Sequence, residues 1–366
     1  MHDISITGDG RIWGKNLYRS SVDSKQSANK AIALLNCRNV TLKDFSILHG
    51  GWFGILATGT DNLTVDNLRM DTNRDGIDVD ACRNVRIANC LINSPKDDGI
   101  CLKSSYALDS ARSTDNVTIT NCQVSGYDEG SLLDGTYRRS PVKGDRYPTG
   151  RIKFGTESNG GFRNITISNC VFEYCNGLAL ETVDGALLED VTIDNITMRD
   201  VKSPIFLRLG ARMRGPANTQ PGALRRIRIS NIVAYNSLAL DGTSAISGIP
   251  GHPIEDVSLS HIDIWYQGGG LDTLHTAIPE NEKKYPEPGM FETLPVYGLY
   301  VRHAKNISLT DIAFHFSQPD QRPALAFDDV DSVYLRHVDA QHLPDTKPML
   351  LTNTTHLTLA DAAKTR

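Results

Sequence analysis

Two aspartates stand side by side in "SPKDDGICLKSS", residues 94–105, in front of a glycine and a short apolar strand. Adjacent carboxyls raise each other's proton affinity when water is scarce. Such crowding splits their pKa values, so that one acid keeps a proton to donate while its neighbours stay ionised to activate water. A glycosidic bond needs that combination, a proton for the leaving oxygen and a base for the attacking water. "DDG" by itself also describes a solvated turn, so the decision rests on what the surrounding chain places beside it.

The chain repeats. Asn or Asp, an aliphatic residue, a polar residue and another aliphatic recur at Asn39, Asn62, Asn84, Asn116, Asn164, Asp190, Asp256 and Asn306. The spacing is about 22 to 26 residues where the repeat is tight, a solenoid period. Alternation of apolar and polar residues marks short, half-buried strands that bury their apolar face only against their neighbours. A second ladder, a small residue followed by a strand, runs through Gly54, Gly76, Gly99, Gly177 and Pro204. Two or more strands per turn and almost no helical periodicity predict an all-β, right-handed parallel β-helix of about nine to eleven coils. A β-propeller would need longer blades and tight two-residue hairpin turns, which the sequence lacks. One domain over 1–366 is expected, with a loop insertion around 126–149 and long loops around 209–224 and 266–296.

With the ladder glycine as origin, apolar residues at the next and third positions face the core. The second and fourth positions then face outward, and the residue before the glycine sits at the rim. Coil by coil the rim reads Phe53, Asp75 and Asp98, and one residue earlier Trp52, Arg74 and Asp97. Asp75, Asp97 and Asp98 therefore converge from adjacent coils about one strand spacing of 4.7 to 4.9 Å apart. That register favours a catalytic cluster over a solvated turn. Lys103 takes the fourth outward position on the Asp98 coil. In "RIKFG", alternation turns Arg151 and Lys153 to the same side as the aspartates, where a cationic pair would bind the acid group of an anionic sugar. Glu181 in "GLALET" and Arg208 in "IFLRLG" occupy the outward fourth position further on, as subsite candidates or solvated side chains. Trp52, Phe53, Tyr127 and Tyr137 offer flat faces for a sugar ring, or loop packing.

Other chemistries are disfavoured. The net charge is −5, from 38 basic and 43 acidic residues, with no basic block for nucleic acid or a membrane surface. No apolar run reaches the roughly 20 residues of a membrane span, and "MHDISITGDG" lacks signal-peptide regions. The chain opens on strand-like sequence, as if a leader or an N-terminal segment had been removed, and localisation stays open. All ten histidines lie at positions 2, 49 or beyond 251, which argues against histidine catalysis or zinc at the aspartates. Seven cysteines at recurrent places, among them Cys37, Cys82, Cys90, Cys122 and Cys170, read as interior columns of small hydrophobes. The Asn-X-Ser/Thr triplets are the repeat itself.

These residues resemble glycoside hydrolase family 28, the polygalacturonase and rhamnogalacturonan hydrolase family, from "ISITGDGRIWG" through "NRDGIDVDACRNVRIANCLINSPKDDGICLKS" to "YPEPGMFETLPVYGLYVRHAKNISL". The resemblance implies a right-handed parallel β-helix, secreted or periplasmic, that hydrolyses α-linked pectic sugars with inversion and without a metal or other cofactor. The family's Asn-Thr-Asp motif matches Asn73-Arg74-Asp75, with Arg in the middle, and its Asp-Asp motif matches Asp97-Asp98. On that likeness Asp97 is the general acid, and Asp75 and Asp98 position and deprotonate the water. Acid and base about 6.5 to 9.5 Å apart would suit inversion. The Gly-His-Gly segment is missing, and either Glu129 in "DEG" or Thr149 in "TGR" takes its place. Arg151-Ile-Lys153 is either the family's Arg-Ile-Lys segment or the coil that normally holds the histidine. In the second alignment Ala179 and Glu181 replace the cations. The expected partner is a pectic polysaccharide or oligosaccharide. Two other readings remain: a β-helix lyase binding Ca²⁺ at the three aspartates, with Arg151 or Lys153 as base, and a noncatalytic carbohydrate-binding β-helix.

Overall fold

Asparagine tolerates a left-handed backbone better than any residue except glycine, and that tolerance sets the turns of this chain. Asn39, Asn62, Asn84, Asn116 and Asn164 all have φ between 54° and 58°. Each turns the backbone at the same place in its coil, and the aliphatic residues that follow point inward. The computed structural model describes residues 1–17, 29–141, 147–238, 240–271 and 277–360, in two compact units, Met1–Asn176 and Gly177–Arg366.

In the first unit three stacks of parallel strands run side by side. One contains Arg38–Lys43, Asp61–Asp66, Arg83–Ala88 and Thr114–Thr120, with Val40, Leu63, Val85 and Val117 in register. A second contains Ser46–Leu48, Arg69–Asp71, Leu91–Asn93 and Gln123–Ser125. The third contains Lys30–Leu35, Phe53–Thr58, Asp75–Asp80, Ile100–Ser104 and Ile152–Ser158. In this third stack Ile32, Ile55, Ile77, Ile100 and Ile152 form one fully in-register core row. Burying apolar area at about 25 cal/mol per Å² makes such rows the main stabilising term of a stacked coil. This is a parallel β-helix, as the two ladders predict.

The glycines after the rim residues are there because strands crowd at that corner. A Cβ on Gly76 would lie 2.4 Å from the Gly99 carbonyl oxygen, and one on Gly54 would lie 2.4 Å from Met70 Cε. The second unit repeats the principle with longer strands, Leu187–Leu209, Ala223–Ser237, Ile254–Gly268, Leu299–Gln318, Leu325–Ala340 and Met349–Ala360. Ile193, Ile229, Leu259, Leu309 and Leu335 form one of its core rows, and Leu359 continues the register at the exposed last strand. Among the described residues the helical content is one 3₁₀ turn, Pro288–Phe291. No helix among the described residues is long and apolar enough to cross a membrane.

All seven cysteines are free and buried, as the column reading expects. Cys90, Cys122 and Cys170 touch through their thiols; the Cys170 contact pulls the Cys122 thiol down, and the Cys90 contact with burial outweighs it and pushes it up to about 12.

Candidate active site

The in-register pairing of Ile77 with Ile100 sets Asp75 beside Asp98, and Asp97 precedes Asp98 in the turn. One carboxylate oxygen from each of Asp75, Asp97 and Asp98 lies within 4.8 Å of the other two. The expected convergence is present, and it is tighter than the acid–base spacing that the resemblance suggests.

Each carboxyl has different company. Asp97 is partly exposed and contacts the Arg74 guanidinium. Asp98 is buried, accepting a hydrogen bond from Arg151 Nε at 2.8 Å, with Lys153 Nζ 3.6 Å from its other oxygen. Asp75 is buried with Lys103 Nζ at 3.8 Å. These differences separate the proton affinities. Burial raises Asp97, the Asp98 charge raises it further, and Arg74 only partly offsets them. Burial also acts on Asp98, yet Lys153 and Arg151 overcome it and hold this carboxyl below the usual range. Asp75 is pushed well up by burial and then by Asp78, against the pull of Lys103. One group is thereby prepared to keep a proton and its chain neighbour to stay ionised.

A fourth carboxyl belongs to the cluster and was missed in the sequence. Asp78 is fully buried, with Lys103 Nζ 2.6 Å from its Oδ2. Burial pushes its pKa up to about 7, with Lys103 opposing. The signal was present, since Asp78 stands two residues past Gly76 at an outward position. Lys103 thus bridges Asp75 and Asp78 and lies 5.1 Å from the centre of the Phe53 ring. The three clustered aspartates are close enough to share a metal ion. However, Arg74, Lys103, Arg151 and Lys153 already supply four positive charges to the carboxyls, which removes most of the attraction for a divalent cation.

The cations lie on the expected side but are engaged differently from what alternation suggests. Arg151 and Lys153 do reach the aspartates, but their side chains are each 1% exposed and committed to Asp98, so neither presents an open face to a uronate. The strand Ile152–Ser158 pairs directly with Ile100–Ser104, so "GRIKF" is the coil next to Asp97–Asp98, and "DEG" is not. Trp52 stacks under Arg74, with the guanidinium carbon 3.8 Å from the ring centre. It holds the partner of Asp97 on that face, where a sugar was expected. Tyr127 is buried and packs on Tyr137 and Tyr174, so it serves the loop. In the second unit Glu181 is fully buried. Arg208 is buried as well, donating to Ser247 Oγ, the Gly248 carbonyl and the Glu280 carbonyl at 2.7, 2.9 and 2.8 Å. Its guanidinium is spent on the protein, a result that outward register alone does not reveal.

Beside the cluster lies a cleft of about 650 Å³. Asn73, Arg74 and Lys96 form one side, and the expected insertion supplies the other, including Asp128, Glu129 and Thr149. Residues 142–146 of that insertion lie outside the described residues. Glu129 pairs with His49, Nδ1 to Oε1 at 2.9 Å, so a histidine does stand behind the cleft wall, brought from far away in the chain.

Residues 3–146 match the family described as a right-handed beta helix region. A probable polygalacturonase of Arabidopsis thaliana is 26% identical over 67% of this chain and 48% of its own length. The family 28 exopolygalacturonase of Yersinia enterocolitica superposes with a TM-score of 0.51 at 13% identity, over 98% of this chain and 60% of that one. A tailspike protein of E. coli bacteriophage HK620, solved with a pentasaccharide, gives 0.56 at 10% identity over 98% of this chain and 62% of that one. At those identities the two solved structures speak for the fold alone. The chain spans about half the length of the curated relatives it matches.

Proposed function

From the premise that the chain is a polygalacturonase-like right-handed β-helix, we propose that it hydrolyses α-glycosidic bonds in pectic polysaccharides or oligosaccharides at Asp75, Asp97 and Asp98. The observation that carries this reading is the convergence of three carboxylates within 4.8 Å, with Arg74 on Asp97 and Arg151 and Lys153 on Asp98, an arrangement that displaces Asp97 upward and Asp98 downward. Asp97, protonated and partly exposed, donates to the leaving oxygen. Asp98 stays ionised and orients the water. Asp75 is pushed up further than Asp97 and cannot act as the base while Asp97 holds its proton, so it helps position the water, whose proton passes to the ionised Asp98. Asn73 and Arg74 line the cleft next to this centre and would contact the sugar there.

Direct displacement by water inverts the anomeric carbon. The oxygen spacing within 4.8 Å favours a second reading, a covalent double displacement with retention, because inverting pairs usually leave about 6.5 to 9.5 Å for the water. Against it, the ionised candidate nucleophile, Asp98, already faces Arg151 and Lys153, which lowers its nucleophilicity. A calcium-dependent lyase at the same residues has to overcome four neighbouring cations. The test is to incubate the chain with polygalacturonan and rhamnogalacturonan oligosaccharides and follow the first-formed reducing end by proton NMR. The reading predicts a saturated product of inverted configuration. An unsaturated product would contradict hydrolysis, and a retained anomer would select double displacement.

A further inference from the structure

The wall of the cleft opposite Arg74 is held by a buried polar clamp. Asp71 is fully buried at the end of Arg69–Asp71. Its Oδ1 accepts hydrogen bonds from the Gly130 amide and Asn93 Nδ2, both at 2.9 Å, and its Oδ2 accepts from the Leu133 amide at 3.0 Å. Asn93, also fully buried, accepts from the Tyr127 amide at 2.7 Å and donates to the Tyr127 carbonyl at 2.9 Å. Residues 127, 130 and 133 are thus tied to two adjacent coils, and Glu129 lies between the ties. His49 Nδ1 lies 2.9 Å from its Oε1. A carboxylate fixed this firmly at a cleft wall loses little entropy on meeting a ligand.

The charge of the cleft is mixed, and its acidic side is the insertion wall. Among the described lining residues Asp128 and Glu129 are acidic, Arg74 is engaged with Asp97, and Lys96 is the other cation. Pro95, Pro148, Tyr147 and Tyr174 add apolar surface. A sugar carboxylate against that wall would meet like charge, whereas hydroxyl groups would donate to Glu129.

We propose that this cleft is a subsite for an uncharged sugar ring next to the bond being cleaved, and that Glu129 sets the preference. The proposal rests on the hydrolase reading given above and names the sugar class at one of its subsites. Asp71 acts at one remove, as a positioning residue for Glu129.

The experiment compares α-linked galacturonan oligosaccharides bearing free carboxyls with the same oligosaccharides methyl-esterified, using the full chain. The wild type should favour the ester in kcat/KM by about tenfold, an effect of the size expected from one like-charge contact in a partly buried cleft. Glu129→Gln should cut that ratio about fivefold, chiefly through KM, and Asp71→Asn should move it the same way by loosening the wall. A wild-type preference for the free acid, or a ratio unchanged in Glu129→Gln, overturns the proposal. If neither probe is cleaved, it is hydrolysis that fails. Calorimetric affinities for the same two probes then decide the subsite, tighter binding of the ester supporting it and tighter binding of the acid refuting it.

Discussion

Two corners of the first unit are made by the same repeat on the same coils, and they differ in one respect. At the asparagine corner five successive coils contribute the same residue, next to a first coil that contributes Asp3. Asn62 donates to Asn39 at 2.8 Å, Asn84 to Asn62 at 3.0 Å, Asn116 to Asn84 at 3.0 Å and Asn164 to Asn116 at 2.6 Å. Each carboxamide from Asn39 to Asn116 is donor to the coil before and acceptor from the coil after, so this stretch of the column carries no charge. At the acid rim the coils differ, apart from the aspartates Asp75 and Asp98 that stand side by side. Asp75 pairs with Phe53, and Asp78 lies in register with Leu56 and Cys101, which in turn faces Lys153. Repetition gives a stable ladder. Breaking the repetition at one strand spacing concentrates unlike charges, and their mutual shifts create groups with different proton affinities.

The contrast is sharpest for catalysis. Asp97→Asn should lower kcat by about 10³ to 10⁴ while leaving thermal unfolding nearly unchanged, because the general acid is lost but its partly exposed site stays filled. Next in size is Lys103→Met, which leaves Asp75 and Asp78 buried without their cation. Removing one partner of a buried pair costs about 3–5 kcal/mol, readable in urea unfolding at pH 8. The loss should shrink at pH 5, where Asp78 is protonated. The sign follows from its pKa, raised from 3.8 to about 7: between those values the folded chain holds a proton that the unfolded chain has released. Stability from this group therefore falls as pH rises through that window. Lys103 has the same sign of linkage in a higher window, since its raised pKa keeps its contribution in place until pH passes above its usual range.

A smaller effect is expected from Arg74→Ala. Arg74 lowers the proton affinity of Asp97, so its removal should move the alkaline limb of the pH–rate profile upward by about one unit. A limb that moves down or stays would show that Asp97 does not set it. The smallest effects lie at the neutral corner. Asn62→Ala loses the ladder bonds and puts a side chain at φ 54°, costing about 2 kcal/mol. Asn62→Gly keeps the turn and should cost about half that. Equal losses would mean that the turn's backbone strain contributes nothing.

Alternation made the fold and the three aspartates readable, because it says which face a side chain takes and in which coil. It does not say how far a side chain reaches or what it meets there. Arg151 and Lys153 were assigned correctly to the aspartate side, yet burial against Asp98 turns them from expected sugar ligands into tuning groups. Arg208 shows the same limit, outward in register but covered by the carbonyl of Glu280. Asp78 was legible as an outward position but not as a member of the cluster, since Lys103 connects it to Asp75 through side-chain length alone. His49 was out of reach altogether, because its contact with Glu129 crosses several coils.

The division of labour between Asp97 and Asp98 is tested most directly by changing the leaving group. Asp97→Asn and Asp98→Asn are each assayed on a pectic oligosaccharide and on a nitrophenyl α-galacturonide, whose leaving group needs no proton. If Asp97 is the acid, Asp97→Asn loses most of its rate on the oligosaccharide and little on the nitrophenyl substrate, while Asp98→Asn is damaged equally on both. Equal loss on both substrates for Asp97→Asn would contradict the account.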